Sequence, residues 1–303
     1  MIVNKASLSN IFVNLSTIFN KQLALTEATP WQKIAMVVPS NTSQNDYKWL
    51  SQFPRMKRWV GEKHVKSLEA NNYVIANDDW ETTIEVDRND IEDDTLGIYA
   101  PLAQSAGESA RLLPSEIVSE LVNGIFKKPC FDGQYMCDTD HQVAGKSISN
   151  KGTAVLSCAT LAAAQASYGM ARTAMRKFKD DDGRTLNTRP NILFVPPALE
   201  DTANLLMTTE RFEDGKPNPY RKTAEVVVDD GMDSDTVWFL LDTTKAVKPF
   251  IYQDRKKPVF VSQTDMQADD VFMRKKFKFG AEARAAGGYG FWQLCWGSTG
   301  TGG

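Results

Sequence analysis

The sequence predicts an α+β fold, on three observations. Residues 97–126 carry one long apolar stripe at helical spacing, residues 157–184 carry a second, and the tail from 248 to 296 alternates charged and aromatic residues as strands do. Hydrophobic residues make up 42% of the 303-residue chain and charged residues 24%, ordinary values for a folded protein. A chain of this length buries about 75% of the surface its unfolded form exposes, enough for one to three domains.

The elements follow in order. Leu8, Ile11, Phe12, Leu15, Ile18 and Phe19 recur at helical steps, so the chain opens on a helix. "PSNTSQNDY" (39–47) is polar and reads as a loop, and "WLSQFPRMKRWV" (49–60) is a short aromatic and basic segment. Tyr73-Val74-Ile75 and the alternating Thr83 to Val86 read as two strands joined by a turn at Asn77-Asp78-Asp79. This hairpin has few apolar residues to bury and is expected to project toward another molecule.

The helix over 97–126 is lined by Tyr99, Leu102, Ala106, Ala110, Leu113, Ile117, Leu121 and Ile125. Acidic residues 92–94 precede it, where the helix dipole favours negative charge. Pro114 lies in its interior and predicts a kink or a break. Unbroken, it runs roughly 43 Å at about 1.5 Å per residue, the length of a spine.

In the second helix Leu161, Ala164, Tyr168, Ala171, Met175 and Phe178 form the stripe, Ser157 is the expected N-cap, and three aspartates before Gly183 end it. "NILFVPP" (191–197) is a buried strand stopped by prolines, "ALEDTANLLMTTERF" (198–212) a helix, "DGKPNPYRK" (214–222) a loop and "TVWFLLD" (236–242) a buried strand.

Composition excludes several function classes. A net charge of −3 argues against a dedicated nucleic-acid binder. No run approaches 18 apolar residues, so no membrane span is expected, and the opening residues lack the continuous apolar core of a signal peptide, which points to cytosolic synthesis. Four irregularly spaced cysteines form no disulfide framework and are expected as free thiols.

The most reactive-looking stretch is "CFDGQYMCDTDH" (130–141), with two cysteines, three aspartates and one of only two histidines. Cys130 and Cys137 are too far apart in sequence for a zinc knuckle, and with His141 the set is one ligand short. A cysteine-dependent enzyme using Cys137 and His141 needs the two to meet across a turn, with a third group orienting the base. The favoured reading is architectural: two aspartate-stabilised turns anchored by buried Phe131, Tyr135 and Met136. "DHQVAGKS" (140–147) nearly matches a phosphate-binding loop, but Asp140 stands where the motif needs glycine and would repel phosphates. The basic clusters at 55–59, 255–257 and 274–278 interleave with aromatics and read as strand faces turned to solvent or a partner. No active site assembles, and neither cofactor nor metal is expected.

Several strings, colinear along the chain, resemble the major head proteins of Mu-like tailed phages. They are "WETTIEVDRNDIEDDTLGIYAPLAQSAGESAR" (80–111), "CFDGQYMCDTDH" (130–141), "MRKFKDDDGRTLNTRPNILFVPPALEDTANLL" (175–206), "VWFLLD" (237–242) and "GGYGFWQL" (287–294). The first 50 residues match more loosely. The resemblance implies the major capsid fold of tailed phages and herpesviruses. It divides the chain into an N-terminal arm and helix (1–55), an extended β-hairpin loop (56–92), a peripheral domain with the spine helix (93–149), an axial domain (150–248) and return strands of the peripheral domain (249–303).

It also implies a structural protein that self-assembles, as pentamers and hexamers, into the icosahedral head shell enclosing phage DNA. Its location would be the virion, with assembly in the bacterial host cytoplasm. Scaffold, portal and head-maturation proteins would be partners, and packaged double-stranded DNA a non-specific neighbour; no membrane is involved. A protein nanocompartment shell of the same fold is the alternative. The acidic run 87–94 and the basic run 55–59 are opposite in charge, which makes Arg55, Lys57, Arg58, Asp87, Glu92, Asp93 and Asp94 candidates for pairing between subunits.

Overall fold

The computed structural model describes residues 5–25, 29–51, 73–92, 99–180, 182–263, 265 and 269–302. In chain order the helices are α1 (Lys5–Leu23), α2 (Pro30–Ile34), α3 (Arg88–Glu92), α4 (Ala100–Asn123), α5 (Leu161–Ala164), α6 (Met170–Lys177), α7 (Glu200–Thr208) and α8 (Asp269–Arg274). The strands begin with β1 (Ala35–Pro39), β2 (Gln44–Asp46), β3 (Val74–Ala76), β4 (Asp78–Asp87), β5 (His141–Val143), β6 (Lys146–Ile148) and β7 (Lys151–Gly152). They continue with β8 (Ile192–Val195), β9 (Glu225–Val228), β10 (Trp238–Leu241), β11 (Phe250–Gln263), β12 (Lys276–Tyr289) and β13 (Cys295–Ser298).

Two large sheets, in the orders β1-β11-β12-β4 and β7-β13-β10-β8-β9, organise most of them, and β2-β3 and β5-β6 form two-stranded pairs. In the first, β1 runs parallel to β11, and β11, β12 and β4 are antiparallel. In the second, β10 is antiparallel to both β13 and β8, while β9 and β7 join in parallel.

The spine helix α4 is 24 residues long, about 36 Å at 1.5 Å per residue, and it continues through Pro114 without a break. Its N-terminal half buries small residues, Ala103, Ala106 and Gly107, because α1 crosses there. A Cβ at Gly107 would stand 2.7 Å from the Phe19 carbonyl oxygen, so only glycine permits this approach. Leu102, placed in the stripe by its spacing, is 43% exposed. The C-terminal half buries Leu113, Ile117, Val118, Leu121 and Val122 in the main core. That core reaches the second sheet through Phe194, Phe239 and Trp238. A smaller core under α1 holds Phe12, Leu15, Tyr99, Val271, Phe277 and Phe279.

The structure departs from the sequence expectations in definite places. Residues 73–87 form two strands but no hairpin. Only Asn77 separates β3 from β4, fewer than the two residues the tightest hairpin loop needs. The Asn77 side chain instead donates to Ser40 Oγ at 3.0 Å and accepts from Gln253 Nε2 at 2.7 Å. β3 pairs with β2, inside the stretch expected as a loop, and β4 pairs with β12 along its whole length, from Asp87↔Lys276 to Asp78↔Ala285. Of the expected extended loop (56–92), residues 56–72 lie outside the described residues.

The second long helix is capped by Thr160, whose Oγ1 accepts from Ala163 N, rather than by Ser157. It passes through a π turn at Gln165–Gly169 and ends at Lys177, ahead of the aspartates. Of the return strands expected at 249–303, β11 and β12 lie in the spine-helix sheet. β13 crosses into the second sheet, where all four of its residues are buried between β10 and β7. The sequence reading also missed β1, β9, the β5–β6 hairpin and α8.

Candidate assembly surface and the Cys130–His141 cluster

The turns after α4 bring Cys130, Asp132 and His141 together. Cys130 N donates to Gln134 O at 2.8 Å, and Gly133 takes a left-handed φ of 84°, closing the first turn. Asp132 Oδ1 accepts from Gln134 N and from Cys130 Sγ, each at 3.1 Å. Its Oδ2 lies 2.7 Å from His141 Nδ1. The His141 ring is buried and stacks on Trp292, centroids 4.1 Å apart and planes within 10°. Burial opposes the Asp132 charge, yet the bonds from His141 and Cys130 outweigh it and hold the carboxyl below its ordinary range.

The ligand-type atoms of Cys130, Asp132 and His141 lie within 4.8 Å of one another. Asp132 already spends both oxygens on hydrogen bonds inside the cluster. Burial, then the Asp132 charge, pushes the Cys130 thiol far up. The cluster is a clasp that pins the β5 start to the turn at 130–134.

Cys137 does not meet His141. Its Sγ faces Cys295 Sγ at 3.6 Å, and burial raises its pKa well above the ordinary thiol value, the opposite of an activated nucleophile. Asp138 stabilises the second turn by accepting from Thr139 N at 2.8 Å. Of the expected anchors Met136 is buried, Phe131 is half-buried against Phe291, and Tyr135 is 44% exposed. Lys146 and Ser147 lie on β6, after an Ala144-Gly145 turn and not at a helix start, which agrees with rejecting the phosphate loop.

One residue the sequence reading missed holds this region to the second sheet. Buried Asn150 accepts from Asp138 N at 2.8 Å through Oδ1. Its Nδ2 lies within hydrogen-bonding reach of Met136 O at 2.8 Å and of Trp292 O and Cys295 O at 3.2 Å. A lone asparagine carries no spacing signal, so nothing in the sequence marks it.

Of the seven charged candidates for subunit pairing, Arg55, Lys57, Arg58, Asp93 and Asp94 lie outside the described residues. Glu92 ends α3. Asp87 works within its own chain. Its Oδ1 accepts from Asn89 N at 2.8 Å and its Oδ2 pairs with Lys276 at 3.3 Å, bonds that keep its carboxyl below the usual range. The basic clusters of the tail likewise make cross-strand pairs in the first sheet, such as Lys256 with Glu282 at 3.1 Å. Among the described residues no helix is long and apolar enough to cross a membrane.

Comparison with known proteins decides the family. The sequence matches the family described as Mu-like prophage major head subunit gpT over residues 8–160, 152–232 and 228–301. The chain belongs to that family.

The major capsid protein of Escherichia phage Mu is 34% identical over 97% of this chain and 74% of its own length. The Mu-like prophage FluMu major head subunit of Haemophilus influenzae is 29% identical over 94% of this chain and 70% of its own. Among solved structures, the procapsid of bacteriophage JBD30 is 29% identical, covers 98% of this chain and 76% of its own, and superposes with a TM-score of 0.60. The fold is therefore the tailed-phage major capsid fold, and this head subunit is a structural component of a virion capsid. Its homologues are structural capsid proteins.

Proposed function

We propose that this major head subunit closes into an icosahedral shell of five- and six-membered rings around double-stranded DNA. Assembly takes place in the bacterial host cytoplasm with scaffold, portal and head-maturation proteins. The observation that carries this is the colinear family match from residue 8 to residue 301, laid over two sheets and a spine helix. Heterologous contacts close into rings when the rotation permits, and many modest contacts acting together give a stable shell. A slightly acidic chain suits a DNA container, because a strongly basic lining would hold the packaged duplex.

The segments divide the work as arm and helix (1–55), extended loop (56–92), peripheral domain (93–149, rejoined by β11 and β12) and axial domain (150–248, rejoined by β13). Pairing between subunits joins the basic Arg55, Lys57 and Arg58 to Glu92, Asp93 and Asp94. Asp87 contributes less, since Lys276 already neutralises it.

Electron microscopy of the purified protein tests the reading: closed shells or rings of five and six are expected, and monomers at every concentration would sink it. Reversing Asp93 and Asp94 to lysine is expected to impair assembly while leaving the monomer folded. Normal shells from that double variant would remove the charge pairing and leave the shell.

A further inference from the structure

Between β11 and β12 the chain forms the short helix α8, and two of its side chains stand in water. Phe272 is 78% exposed and Met273 76%, the two most exposed large apolar side chains among the described residues. The helix beneath them is fixed. Val271 is buried with Phe12, Phe277 and Phe279, and Lys275 N donates to Val271 O at 3.1 Å. Lys275 takes a left-handed φ of 56°, turning the chain at once into β12. A pinned helix that holds a phenylalanine and a methionine outward is an anchor without a seat. Arg274 and Lys275 lie exposed beside it.

A seat of matching character lies elsewhere on the same sheet. Between α4 and the sheet is a cleft of about 170 Å³, lined by Trp80, Ala110, Leu113, Pro258, Ala281 and Ala283. Glu81 and Glu116 also line it; both are exposed, and neither has an ion pair among the described residues. An apolar floor with an acidic rim complements an apolar knob with a basic flank.

A copy cannot fill its own cleft. Trp80 pairs with Ala283 and Asp87 with Lys276, seven residues further along the ladder and about 24 Å away at 3.4 Å per residue. Knob and cleft are therefore separate patches of one subunit, the arrangement of a heterologous contact that propagates from copy to copy.

We propose that Phe272 and Met273 of one subunit seat in the Trp80–Leu113–Pro258 cleft of a second copy of this chain, with Lys275 facing Glu116. This contact rests on the shell reading and adds a specific joint to it.

The test is cysteine pairing in the full chain. Met273→Cys and Glu116→Cys are combined in a Cys158→Ser background, because Cys158 is the one native cysteine that is not buried. Assembled protein, mildly oxidised, is expected to give a covalent ladder of dimers and higher multimers that neither single variant gives. In parallel, Phe272→Ala with Met273→Ala is expected to raise the concentration needed for assembly about tenfold while the thermal melt of the monomer stays in place. Glu116→Lys is expected to weaken assembly, and adding Lys275→Glu to restore it.

Shells that form normally from the Phe272/Met273 variant, with no ladder from the cysteine pair, would overturn the contact and leave the shell reading standing. Unmutated protein that never assembles would overturn both.

Discussion

The two sheets of this subunit are finished to different degrees. Every residue of β8, β10 and β13 is buried, and their side chains meet α4 and the turns after it within one chain. The other sheet is half-finished. β4 buries one residue of ten, β11 is buried only over its first four, and the helix joining β11 to β12 presents Phe272 and Met273 to water. Hydrophobic burial is the main favourable term in both folding and association. The second sheet's region spends it on folding, and the first's holds part of it back for neighbours. A subunit that must fold before it assembles needs this division, since a monomer with every apolar group satisfied has little left with which to join.

Mutations sharpen the contrast, and the largest effect belongs to the finished region. Phe194→Ala, deep in β8, is expected to cost about 3–5 kcal/mol and to abolish assembly by unfolding the monomer, read as a loss of the cooperative melt. The Phe272/Met273 double alanine variant should shift the same melt by no more than about 0.5 kcal/mol while assembly suffers. Equal destabilisation by the two would break the comparison.

Asn150→Leu comes next, at about 2–3 kcal/mol, because it strands the Asp138 N–H and the carbonyls of Met136, Trp292 and Cys295. Denaturant unfolding measures it directly.

Asp132→Asn is smaller, about 1–2 kcal/mol at neutral pH, and carries a pH signature. The folded carboxyl titrates below its unfolded value of about 3.9, so its stabilisation is present above that pH and is lost as pH falls through the folded value. Melts of variant and unmutated protein should therefore converge below the carboxylate range. A gap that stays constant to pH 2 would show that the Asp132 charge does not matter to the clasp.

The smallest effect has the opposite sign. Ala144 holds a left-handed φ of 50° ahead of Gly145 in the β5–β6 turn, a position that suits asparagine. Ala144→Asn is expected to stabilise by about 0.5 kcal/mol.

The same division explains what could be read in the sequence. β8 and β10 were legible because strands buried on both faces are unbroken apolar runs, and α4 because three- and four-residue steps persist over seven turns. Partner choice was not legible. Alternation from Thr83 to Val86 identifies a strand but not its neighbour, so β4 was assigned to a hairpin with β3 when it belongs beside β12. Small residues mattered where bulk was expected: Ala103, not Leu102, lies on the buried face, where α1 passes close at Gly107.

The reactive stretch was legible as turns, from Asp132-Gly133. That His141 returns to Asp132 while Cys137 turns to Cys295 depends on contacts across nine and 158 residues, which local spacing does not encode. The charged candidates were chosen on sign alone, and Asp87 shows the weakness of that rule, since a strand-end aspartate finds a lysine in its own sheet first.

Hydrogen–deuterium exchange on unassembled and assembled protein tests the division most directly. Assembly is expected to slow exchange in residues 78–87, 256–263 and 269–278 and to leave 192–195 and 238–241 unchanged. Protection gained equally across both sheets, or gained only in the second, would contradict it.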